Sequence, residues 1–535
     1  MDFGQAIEKS LRNIAKYGDT DIFPFPFEKH VFFDRLDACK TLLQELHDNF
    51  DDFLASYPPA TIETLTQVGY TGFRWATQIE PFWNAYYLAL AISIADQIEF
   101  KRISETEKIV FSHRYEWDDE AAKLFKDITW NDYRARSLEL SQSFNFVVTT
   151  DIADFYPRIY HHRIENELNR LPSPGDTPNR IMQLLKNFSK NVSYGLPIGG
   201  PASRILAELA LTSVDDHLLR RQKSFCRYAD DYSIFCDSKS EAYEALVLLS
   251  EKLFNEGLVL QKTKTRIIST KEFQEAAGLL DPRSEKSDSG DTTEEQKLLG
   301  ISIRFDPYSL TAEEDYEKLK AAVNEVDIVG ILGREVAKTA IDTTVAKQAI
   351  RAIRALDHPA REGAVRTILD DANLEVLSPV FVMVMLAVRG VYDELEDTGM
   401  DFVDDALLGI YENRPHLLSV ELNLSYFIQA LSAGNTGRKQ EILIELFDKP
   451  SSHLIRRQII QIMARWECHY WLSDIKQKYG GLSEWEKRAF ILASYVLGDE
   501  GRHWRRNIRR TWTPMDLIVR DWISERFKNT GTVPV

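Results

Sequence analysis

Hydrophobic side chains recur at every third or fourth position over much of this 535-residue chain. This spacing places them on one face of a helix, so it predicts amphipathic helices. Within the N-terminal part the pattern is clearest at 34–53 and 80–98. Residues 22–27 alternate aromatic residues with proline and are predicted to be extended. We therefore expect residues 1–98 to form a mostly helical segment.

A mixture of strands and helices is predicted between residues 99 and 310. Runs rich in β-branched and aromatic residues, which favour strands, occur at 146–150, 225–235, 258–260 and 265–268. Asp230 and Asp231 interrupt the second run, and we expect two short strands around a turn there. Helices are predicted at 160–171 and 203–221, and a polar loop at 282–296.

Residues 311–535 show only helical patterns. Apolar stripes at three- and four-residue spacing recur at 346–356, 455–466 and 489–496, and turns separate them. Paired amphipathic helices without strands favour an α-solenoid, so we expect irregular HEAT-like repeats. The predicted fold class is α+β, with domains at 1–98, 99–310 and 311–535.

Composition and charge narrow the possible functions. The net charge is −17, from 65 Lys and Arg against 82 Asp and Glu, which argues against broad nonspecific binding to nucleic acid. The four cysteines are scattered without a CxxC pair, as expected for reduced thiols in a cytoplasmic protein. The longest apolar runs, 85–95 and 380–388, are too short to span a bilayer. The charged first ten residues predict no signal peptide, so we expect a cytoplasmic protein without a membrane partner.

Any contact with nucleic acid therefore requires a local basic surface. The strongest candidate is the arginine-rich stretch 502–510, in which Arg505 and Arg506 are the candidate nucleic-acid-binding residues. A solvated helix face explains the same pattern, and both interpretations stay open at this point.

Three carboxylates point to a chemical function. Asp151 ends the apolar run 146–150, and Asp230 and Asp231 lie side by side between two apolar runs. Neighbouring carboxylates repel each other and need a compensating charge, and carboxylate oxygens suit Mg²⁺. Two Mg²⁺ ions held in this way stabilise the attacking and leaving oxygens of an in-line phosphoryl transfer. An isolated Asp-Asp pair would indicate only a turn, but here a third carboxylate accompanies it.

Five motifs, in order along the chain, resemble those of the reverse transcriptase family. Residues 151–156 (Asp-Ile-Ala-Asp-Phe-Tyr) resemble its first metal-binding motif, and 228–231 (Tyr-Ala-Asp-Asp) resemble its metal-binding hairpin. Residues 195–204 resemble its Gly/Pro turn, which leads into a helix under the templating base. After the hairpin, 258–265 resemble its lysine motif and 298–301 its primer-grip hairpin. The resemblance implies right-hand polymerase fingers and palm, and an RNA-directed DNA polymerase activity.

The resemblance also implies which residues hold the metal. Asp151 and Asp230 should be the principal ligands and catalytic residues, with Asp231 as a further ligand and Ile152 beside them at the metal site. The implied cofactor is a pair of Mg²⁺ ions. Tyr156 falls where the family has its steric gate, an aromatic side chain that favours dNTPs over ribonucleotides.

Two basic residues are implied to meet the incoming nucleotide. Lys264 is placed to contact the triphosphate or pyrophosphate, with Lys262 as a rival two residues away. Arg114, within the Phe-Ser-His-Arg-Tyr run 111–115, resembles a fingers arginine that grips the phosphates. The fixed fork of guanidinium donors suits that task. A structural ion pair is the alternative for Arg114, and a solvated side chain for either lysine.

The Gly/Pro turn and the helix after it are also implied to bind. Gly195 and Gly199 would allow close approach of the backbone to the nucleotide, and Pro197 would stiffen the turn. At the start of the helix, Ser203 and Arg204 are expected to contact nucleic acid.

Three segments, 111–115, 154–162 and 203–208, narrow the resemblance to bacterial abortive-infection and defence-associated reverse transcriptases. This group has α-repeats after the polymerase core. The resemblance to it implies an anti-phage role and a homo-oligomer assembled through the helical domain. Some members extend a protein tyrosine without a conventional template, whereas others copy a partner RNA. The expected partners are dNTPs with either an RNA template or nascent single-stranded DNA. Candidate tyrosines in the helical region are Tyr411, Tyr426 and Tyr479.

Two other functions stay open from the sequence. One is a catalytically weak scaffold or sensor whose α-repeats bind a partner. The other is a ribonuclease toxin, because Arg351 and His358 loosely match the Arg-x(4–6)-His spacing of HEPN ribonucleases. On one continuous helix these two residues would lie about two turns apart on the same face.

Overall fold

The computed structural model describes residues 2–190, 192–280, 293–301, 312–449 and 452–534. The chain packs as two compact units that do not follow the three predicted segments. The first unit comprises Met1–Glu63, Ala76–Gly278 and Arg506–Gly531, and the second comprises Thr64–Trp75, Leu279–Arg505 and Thr532–Val535.

The N-terminal part contains helices, as predicted, and also a β-hairpin that was not predicted. Its elements are α1 (Phe3–Tyr17), α2 (Glu28–Asp34), α3 (Leu36–Asp48), α4 (Phe50–Ser56), β1 (Thr61–Val68), β2 (Gly72–Ile79) and α5 (Pro81–Lys101). Strands β1 and β2 pair with each other, and Gly69 in the connection has φ = 70°. The strands are rich in threonine, a β-branched residue that favours a strand. The strand pattern was not recognised in the sequence, because the segments on either side of it have the apolar spacing of helices.

A second small hairpin and a helix lead into the central sheet. They are β3 (Tyr115–Asp118), β4 (Lys123–Phe125) and α6 (Trp130–Ser141). Helix α6 begins with a capping box, in which Thr129 and Asp132 satisfy each other's backbone N–H groups.

The central sheet holds the predicted carboxylates. The elements that build it are β5 (Phe146–Asp151), α7 (Phe155–Arg158), α8 (His161–Asn169), α9 (Thr177–Phe188), α10 (Pro201–Arg220), β6 (Ser224–Tyr228), β7 (Asp231–Cys236), α11 (Lys239–Asn255), β8 (Arg266–Ser269) and α12 (Thr270–Leu280). The strand order is β6-β7-β5-β8, and every neighbouring pair is antiparallel. The predicted strands at 146–150, 225–235 and 265–268 are confirmed.

Two elements predicted after the hairpin differ from the structure. Residues 258–260 form no strand, and only an isolated bridge joins Leu260 to Ile152. Leu298–Gly300, predicted as part of a primer-grip hairpin, lies instead in the helix Glu294–Gly300. A capping box of Thr293 and Gln296 starts this helix, so local hydrogen bonds favour the helical state. Most of the predicted loop at 282–296 lies outside the described residues.

The core of the first unit lies between the sheet and two long helices. Val147 and Val148 of β5 are fully buried, as is Ile234 of β7. Helix α11 packs against β5 and β7, and α10 packs against α5, α8 and α11. Both α5 and α10 are buried over most of their surface, so each is a central helix rather than an amphipathic surface helix.

In the part of the chain that the structure describes after residue 292, every regular element is a helix, as predicted. These helices are α13 (Glu294–Gly300), α14 (Ala312–Asn324), α15 (Ile328–Val336), α16 (Thr343–Ala352), α17 (His358–Leu369), α18 (Asp371–Leu374), α19 (Phe381–Val391), α20 (Asp397–Asn413), α21 (Glu421–Leu431), α22 (Gly437–Asp448), α23 (His453–Arg465), α24 (His469–Gln477), α25 (Glu484–Ala493), α26 (Gly498–Ile508) and α27 (Pro514–Thr530). Helices α19, α21, α23 and α25 pack in series, each against the next. The HEAT-like character of this packing stays a prediction.

Helix α27 belongs to the first unit although it ends the chain. Trp522 stacks on Phe27 with ring centroids 6.0 Å apart, and its indole N–H donates to Asp34 over 2.6 Å. Arg526 donates to the same carboxylate. The N-terminal helices therefore pack together with the last helix.

Among the described residues, no helix is both long enough and apolar enough to cross a membrane.

Candidate active site

The antiparallel register of the sheet brings the three carboxylates together. Asp151, the last residue of β5, lies opposite Asp231, the first residue of β7. The backbone N–H of Ile152 donates to the carbonyl of Asp230 over 3.1 Å, which fixes the end of β5 against the turn. The strand β5 is central in the sheet, so its end is held on both sides.

The turn of the β6–β7 hairpin presents the two adjacent carboxylates. Tyr228 pairs with Asp231 and closes the hairpin, so Ala229 and Asp230 are the two residues of the turn. Ala229 has φ = 51°, a left-handed conformation that suits the tight hairpin turn and disfavours most side chains. The small side chain of Ala229 therefore fits the position between Tyr228 and Asp230.

Burial and mutual repulsion perturb the acidity of these carboxylates. Burial, reinforced by the negative charge of Asp151, raises the pKa of Asp230 to about 7. The same two causes raise the pKa of Asp231 to about 6, and the nearby cation of Lys264 opposes them. Both shifts mean that burial and the neighbouring negative charge disfavour the charged form of these carboxylates.

One protein cation does reach the cluster. The ammonium group of Lys264 forms an ion pair with Asp151. The Lys264 side chain is 65% exposed, so most of it stays in contact with solvent. The backbone N–H of Gln261 donates to the Asp151 carbonyl over 2.7 Å, so the segment that carries Lys264 is tied to the end of β5. Lys262, the predicted rival, is exposed and forms no ion pair among the described residues. The structure therefore brings Lys264, rather than Lys262, to the carboxylates.

The donor set fits a divalent metal in its chemistry. Three carboxylates supply hard oxygen ligands, and burial together with the charge of Asp151 raises the pKa of two of them. Among the described residues, no group of three or more His, Cys, Asp or Glu residues is arranged as a formed metal site. Ile152 has a buried side chain and could contribute only its backbone carbonyl.

Tyr156, five residues after Asp151, lies beside the Gly/Pro turn. The backbone N–H of Leu196 donates to the carbonyl of Tyr156 over 3.0 Å, so the turn runs beside the aromatic residue. Burial raises the pKa of Tyr156 well above its ordinary value, and its phenol stays neutral at physiological pH. This placement is compatible with the predicted steric gate.

The two glycines of the turn have structural reasons to be glycine. Gly195 has φ = 96° and Gly199 has φ = 116°. A Cβ atom on Gly199 would lie 2.3 Å from the Thr20 hydroxyl oxygen, and one on Gly195 would lie 3.4 Å from the carbonyl oxygen of Pro157. Both glycines therefore approach other parts of the protein closely. That Gly195, Pro197 and Gly199 also contact a nucleotide stays a prediction.

Arg114 does not have the geometry that the sequence predicted. Its side chain is 3% exposed and donates to the carbonyls of Val110 and Ile103 and to the Glu99 carboxylate. A guanidinium with its donors engaged in this way cannot grip phosphates, so the alternative, a structural ion pair, is the correct interpretation. Arg114 instead fixes the loop that contains Val110.

The predicted nucleic-acid contacts are also partly corrected. Ser203 is 1% exposed and contacts Tyr87, so it cannot meet a ligand. Arg204 is partly exposed and pairs with Asp21. Arg505 is half-buried, stacks on Tyr495 at 3.7 Å and donates to the Ser494 carbonyl, which makes it a packing residue. Of these arginines, Arg506 is exposed and stays a candidate.

The structure weakens two further sequence predictions. Arg351 and His358 do not share a helix, because α16 ends at Ala352 and His358 is the first residue of α17. The geometric premise of the ribonuclease hypothesis is therefore wrong. Two of the three candidate tyrosines, Tyr426 and Tyr479, are 7% and 5% exposed and thus inaccessible. Tyr411 is partly exposed and donates to Glu445.

Sequence reasoning missed a group of buried charges under the hairpin. Arg227, fully buried, contacts Asp215 and Glu208 of α10. The available signal was the presence of charged residues next to apolar ones, an arginine before Tyr228 and the acids Glu208 and Asp215 within apolar stretches of α10. Only the folded structure shows that they pair.

Comparison with known proteins identifies the central part of the chain. Residues 95–303 match the family model described as reverse transcriptase (RNA-dependent DNA polymerase). This range contains β5–β7 and all three carboxylates, so the part of the chain that holds the candidate site is similar to that family.

A curated relative supports the same assignment. The retron Ec86 reverse transcriptase of Escherichia coli is 27% identical over 142 residues, which cover 25% of this chain and 42% of that protein. The chain therefore matches less than half the length of this relative.

Among solved structures, similarity extends over more of the chain but is weak. Telomerase from Candida albicans, in complex with a fragment of telomeric RNA, is 11% identical with a TM-score of 0.30, covering 77% of this chain and 71% of that one. Apo telomerase from Candida Tropicalis is 9% identical with a TM-score of 0.31, covering 78% and 72%. At these TM-scores the likeness carries no argument about fold or function.

Proposed function

We propose that this protein is an RNA-directed DNA polymerase that adds dNTPs to a primer end at Asp151, Asp230 and Asp231. The observation that carries the proposal is the register that sets Asp151 opposite Asp231 beside the Asp230 turn, within the part of the chain that is similar to the reverse transcriptase family. Two Mg²⁺ ions, when bound to these carboxylates, would lower the pKa of the primer hydroxyl and neutralise charge on the leaving pyrophosphate.

The protein's own residues would mainly bind and orient the reactants. Asp151 and Asp230 would be the principal ligands, and Asp231 would complete the negative site. Lys264, released from Asp151 when a cation binds, has the exposure to meet a phosphate of the incoming nucleotide. Since phosphoryl transfer needs little covalent help from side chains, such positioning accounts for the proposed chemistry.

Selection of dNTPs would rest on Tyr156. Its aromatic ring follows the carboxylate strand by five residues, and the Leu196 hydrogen bond fixes its backbone beside the Gly/Pro turn. A rigid ring at this place would leave no room for a ribose 2′-hydroxyl.

The biological setting is proposed on the sequence resemblance alone. It comprises anti-phage defence by abortive infection, an RNA template or nascent single-stranded DNA as partner, and a homo-oligomer formed through the helical unit. Protein-primed and untemplated synthesis stay alternatives to copying of RNA.

The test is incorporation of labelled dNTPs by the purified full chain with Mg²⁺, first without added nucleic acid and then with a primed RNA template. We expect labelled, DNase-sensitive product that Asp230→Ala abolishes. A mobility change after protease treatment would identify the protein as primer, and loss of product after prior RNase treatment would identify a copurified RNA template.

A matched control is Asp154→Asn, because Asp154 is an exposed carboxylate three residues after Asp151 and asparagine tolerates its left-handed backbone, φ = 48°. It should keep wild-type incorporation. Absence of product under both conditions would contradict the polymerase proposal and would favour the scaffold hypothesis.

A further inference from the structure

Arg227 forms the centre of a buried ion-pair network directly under the carboxylate hairpin. Its side chain is 0% exposed. Its Nε donates to both carboxylate oxygens of Asp215 over 2.9 and 3.0 Å, and its Nη2 donates to Asp215 over 2.7 Å and to Glu208 over 2.8 Å. Two acids of α10, Asp215 and Glu208, therefore neutralise the positive charge of the guanidinium.

The third nitrogen of Arg227 has a different partner. Its Nη1 donates to the backbone carbonyl of Ala229 over 2.8 Å. This carbonyl belongs to the planar peptide that joins Ala229 to Asp230, so the hydrogen bond fixes the orientation of the peptide that leads into the carboxylates. Ala229 is also the residue with the left-handed backbone conformation, which needs such support.

Further contacts hold Arg227 itself in place. The Tyr232 hydroxyl donates to Asp215 over 3.0 Å, and Arg102 donates to Glu208 over 2.7 Å. The Ser112 hydroxyl donates to the second Glu208 oxygen. Two arginines thus balance two acids in a site without solvent, where a missing partner would leave a charge unpaired.

The backbone of Arg227 is fixed as well. Its N–H donates to the Ile109 carbonyl over 2.8 Å, and its carbonyl accepts from Phe111 over 3.0 Å. The segments 111–115 and 203–208, which the sequence singled out, therefore meet at this residue through Ser112 and Glu208.

We propose that Arg227 is a positioning residue, which holds the peptide between Ala229 and Asp230 and thereby sets Asp230 and Asp231 opposite Asp151 for binding of a divalent cation. This inference rests on the proposed function, because it concerns the same carboxylates. Arg227 itself is too deeply buried to touch a substrate, so it acts only through the hairpin.

Arg227→Lys tests the proposal in the full chain. Lysine keeps the positive charge for Asp215 and Glu208, but its three donors share one nitrogen and do not reproduce the planar fork that also reaches the Ala229 carbonyl. The probe is Mn²⁺ alone, whose binding is followed by electron paramagnetic resonance, together with single-nucleotide incorporation on a primed template. We expect Mn²⁺ affinity and kcat each to fall about 10- to 100-fold, with the KM for dNTP unchanged.

Arg102→Lys is the matched control. Arg102 is nearly as buried as Arg227 and binds the same Glu208, but it does not contact the hairpin. It should lower the melting temperature and reduce Mn²⁺ affinity far less than Arg227→Lys does, because Arg227 then keeps its hydrogen bond to the Ala229 carbonyl. Tyr232→Phe provides a milder variant, which keeps the ring and removes one hydrogen bond to Asp215; it should weaken Mn²⁺ binding less than Arg227→Lys.

The outcomes separate this inference from the proposed function. Wild-type Mn²⁺ affinity in folded Arg227→Lys and in Tyr232→Phe would overturn the positioning role, as would an equal loss of affinity in Arg102→Lys. If the wild-type protein neither binds Mn²⁺ nor incorporates nucleotide, the proposed function itself fails.

Discussion

At the scale of single residues, the carboxylate cluster is costly to the folded protein. Asp230 and Asp231 have raised pKa values because they are partly buried beside Asp151. Lys264 neutralises only part of this charge. A bound cation would reduce the electrostatic repulsion between these carboxylates, so we expect the site to bind cations readily.

This cost predicts how stability depends on pH without metal. An acid whose pKa is raised from 3.8 to about 7 holds its proton more tightly in the folded state than in the unfolded state. The folded state therefore loses stability as pH rises from about 4 to about 7. In EDTA, we expect the melting temperature of the wild type to fall from pH 5 to about pH 8, and that of Asp230→Asn to fall less.

Asp154→Asn is the control, because this carboxylate is exposed and should not change the pH profile. Addition of Mg²⁺ at about pH 8 should raise the melting temperature of the wild type more than that of Asp230→Asn. Identical pH profiles for the wild type and Asp230→Asn would contradict a repulsive cluster.

The residue scale also tests nucleotide selection. Tyr156→Ala removes the ring beside the Gly/Pro turn, and we expect the preference for dNTPs over ribonucleotides to fall by about tenfold or more. The measurement is kcat/KM for each nucleotide type. Tyr160→Ala removes an exposed ring nearby and should leave the preference intact. An unchanged preference in Tyr156→Ala would exclude the steric gate.

At the scale of elements, the sequence predicts best where one period dominates. The strands β5, β6 and β7 were predictable because their apolar runs end at charged turns, and helix α5 because its apolar residues recur at helical spacing. The hairpin of β1 and β2 was not predicted, since its threonine-rich alternation lies between helical patterns. The sequence predicted a hairpin where helix α13 forms, because Leu298–Ile301 resembles a hairpin motif. So short a motif does not decide its own conformation, and the preceding residues favour a helix here.

The same scale explains which site residues could be predicted. The carboxylates lie at the ends of strands, so the sequence predicted that Asp151, Asp230 and Asp231 come together, and their catalytic role stays a prediction. The predicted ligand contacts of Arg114 and Ser203 were wrong, because a sequence motif does not show whether a side chain is buried. Arg227 was missed because its partners on α10 lie 12 and 19 residues away in the chain and meet it only after folding.

The Gly/Pro turn offers an element-scale prediction. Gly199→Ala would force a side chain into φ = 116° and against Thr20, and we expect a loss of about 1–3 kcal/mol in the free energy of unfolding. Gly409→Ala in α20 meets no neighbour within 4 Å and should gain about 0.5–1 kcal/mol. Thermal melting of both variants measures the difference. A Gly199→Ala protein as stable as the wild type would contradict the strained turn.

At the scale of the whole molecule, segments distant in sequence complete each unit. The hydrogen bond between Asp34 and Trp522 joins residues that are 488 positions apart in the sequence. No periodic pattern of apolar residues predicts such a contact. For this reason the predicted boundaries at 98 and 310 did not describe how the chain packs.

Removal of that contact should destabilise the first unit. Trp522 is 2% exposed, and we expect Trp522→Ala to cost about 3–5 kcal/mol. Hydrogen exchange should quicken in α2 and α3, which α27 contacts. Phe254→Ala, which truncates an aromatic residue of the same unit that is 75% exposed, should have little effect. Unchanged exchange in α2 and α3 would show that α27 is not part of the unit.

The most direct test of the central claim is single-nucleotide addition to a primed RNA template by the purified full chain with Mg²⁺. The wild type and Asp154→Asn should extend the primer by the complementary dNTP, and Asp230→Asn should lose activity by at least about a thousandfold, as expected when a metal ligand of the reacting centre is removed. Equal extension by Asp230→Asn and the wild type would contradict catalysis at these carboxylates.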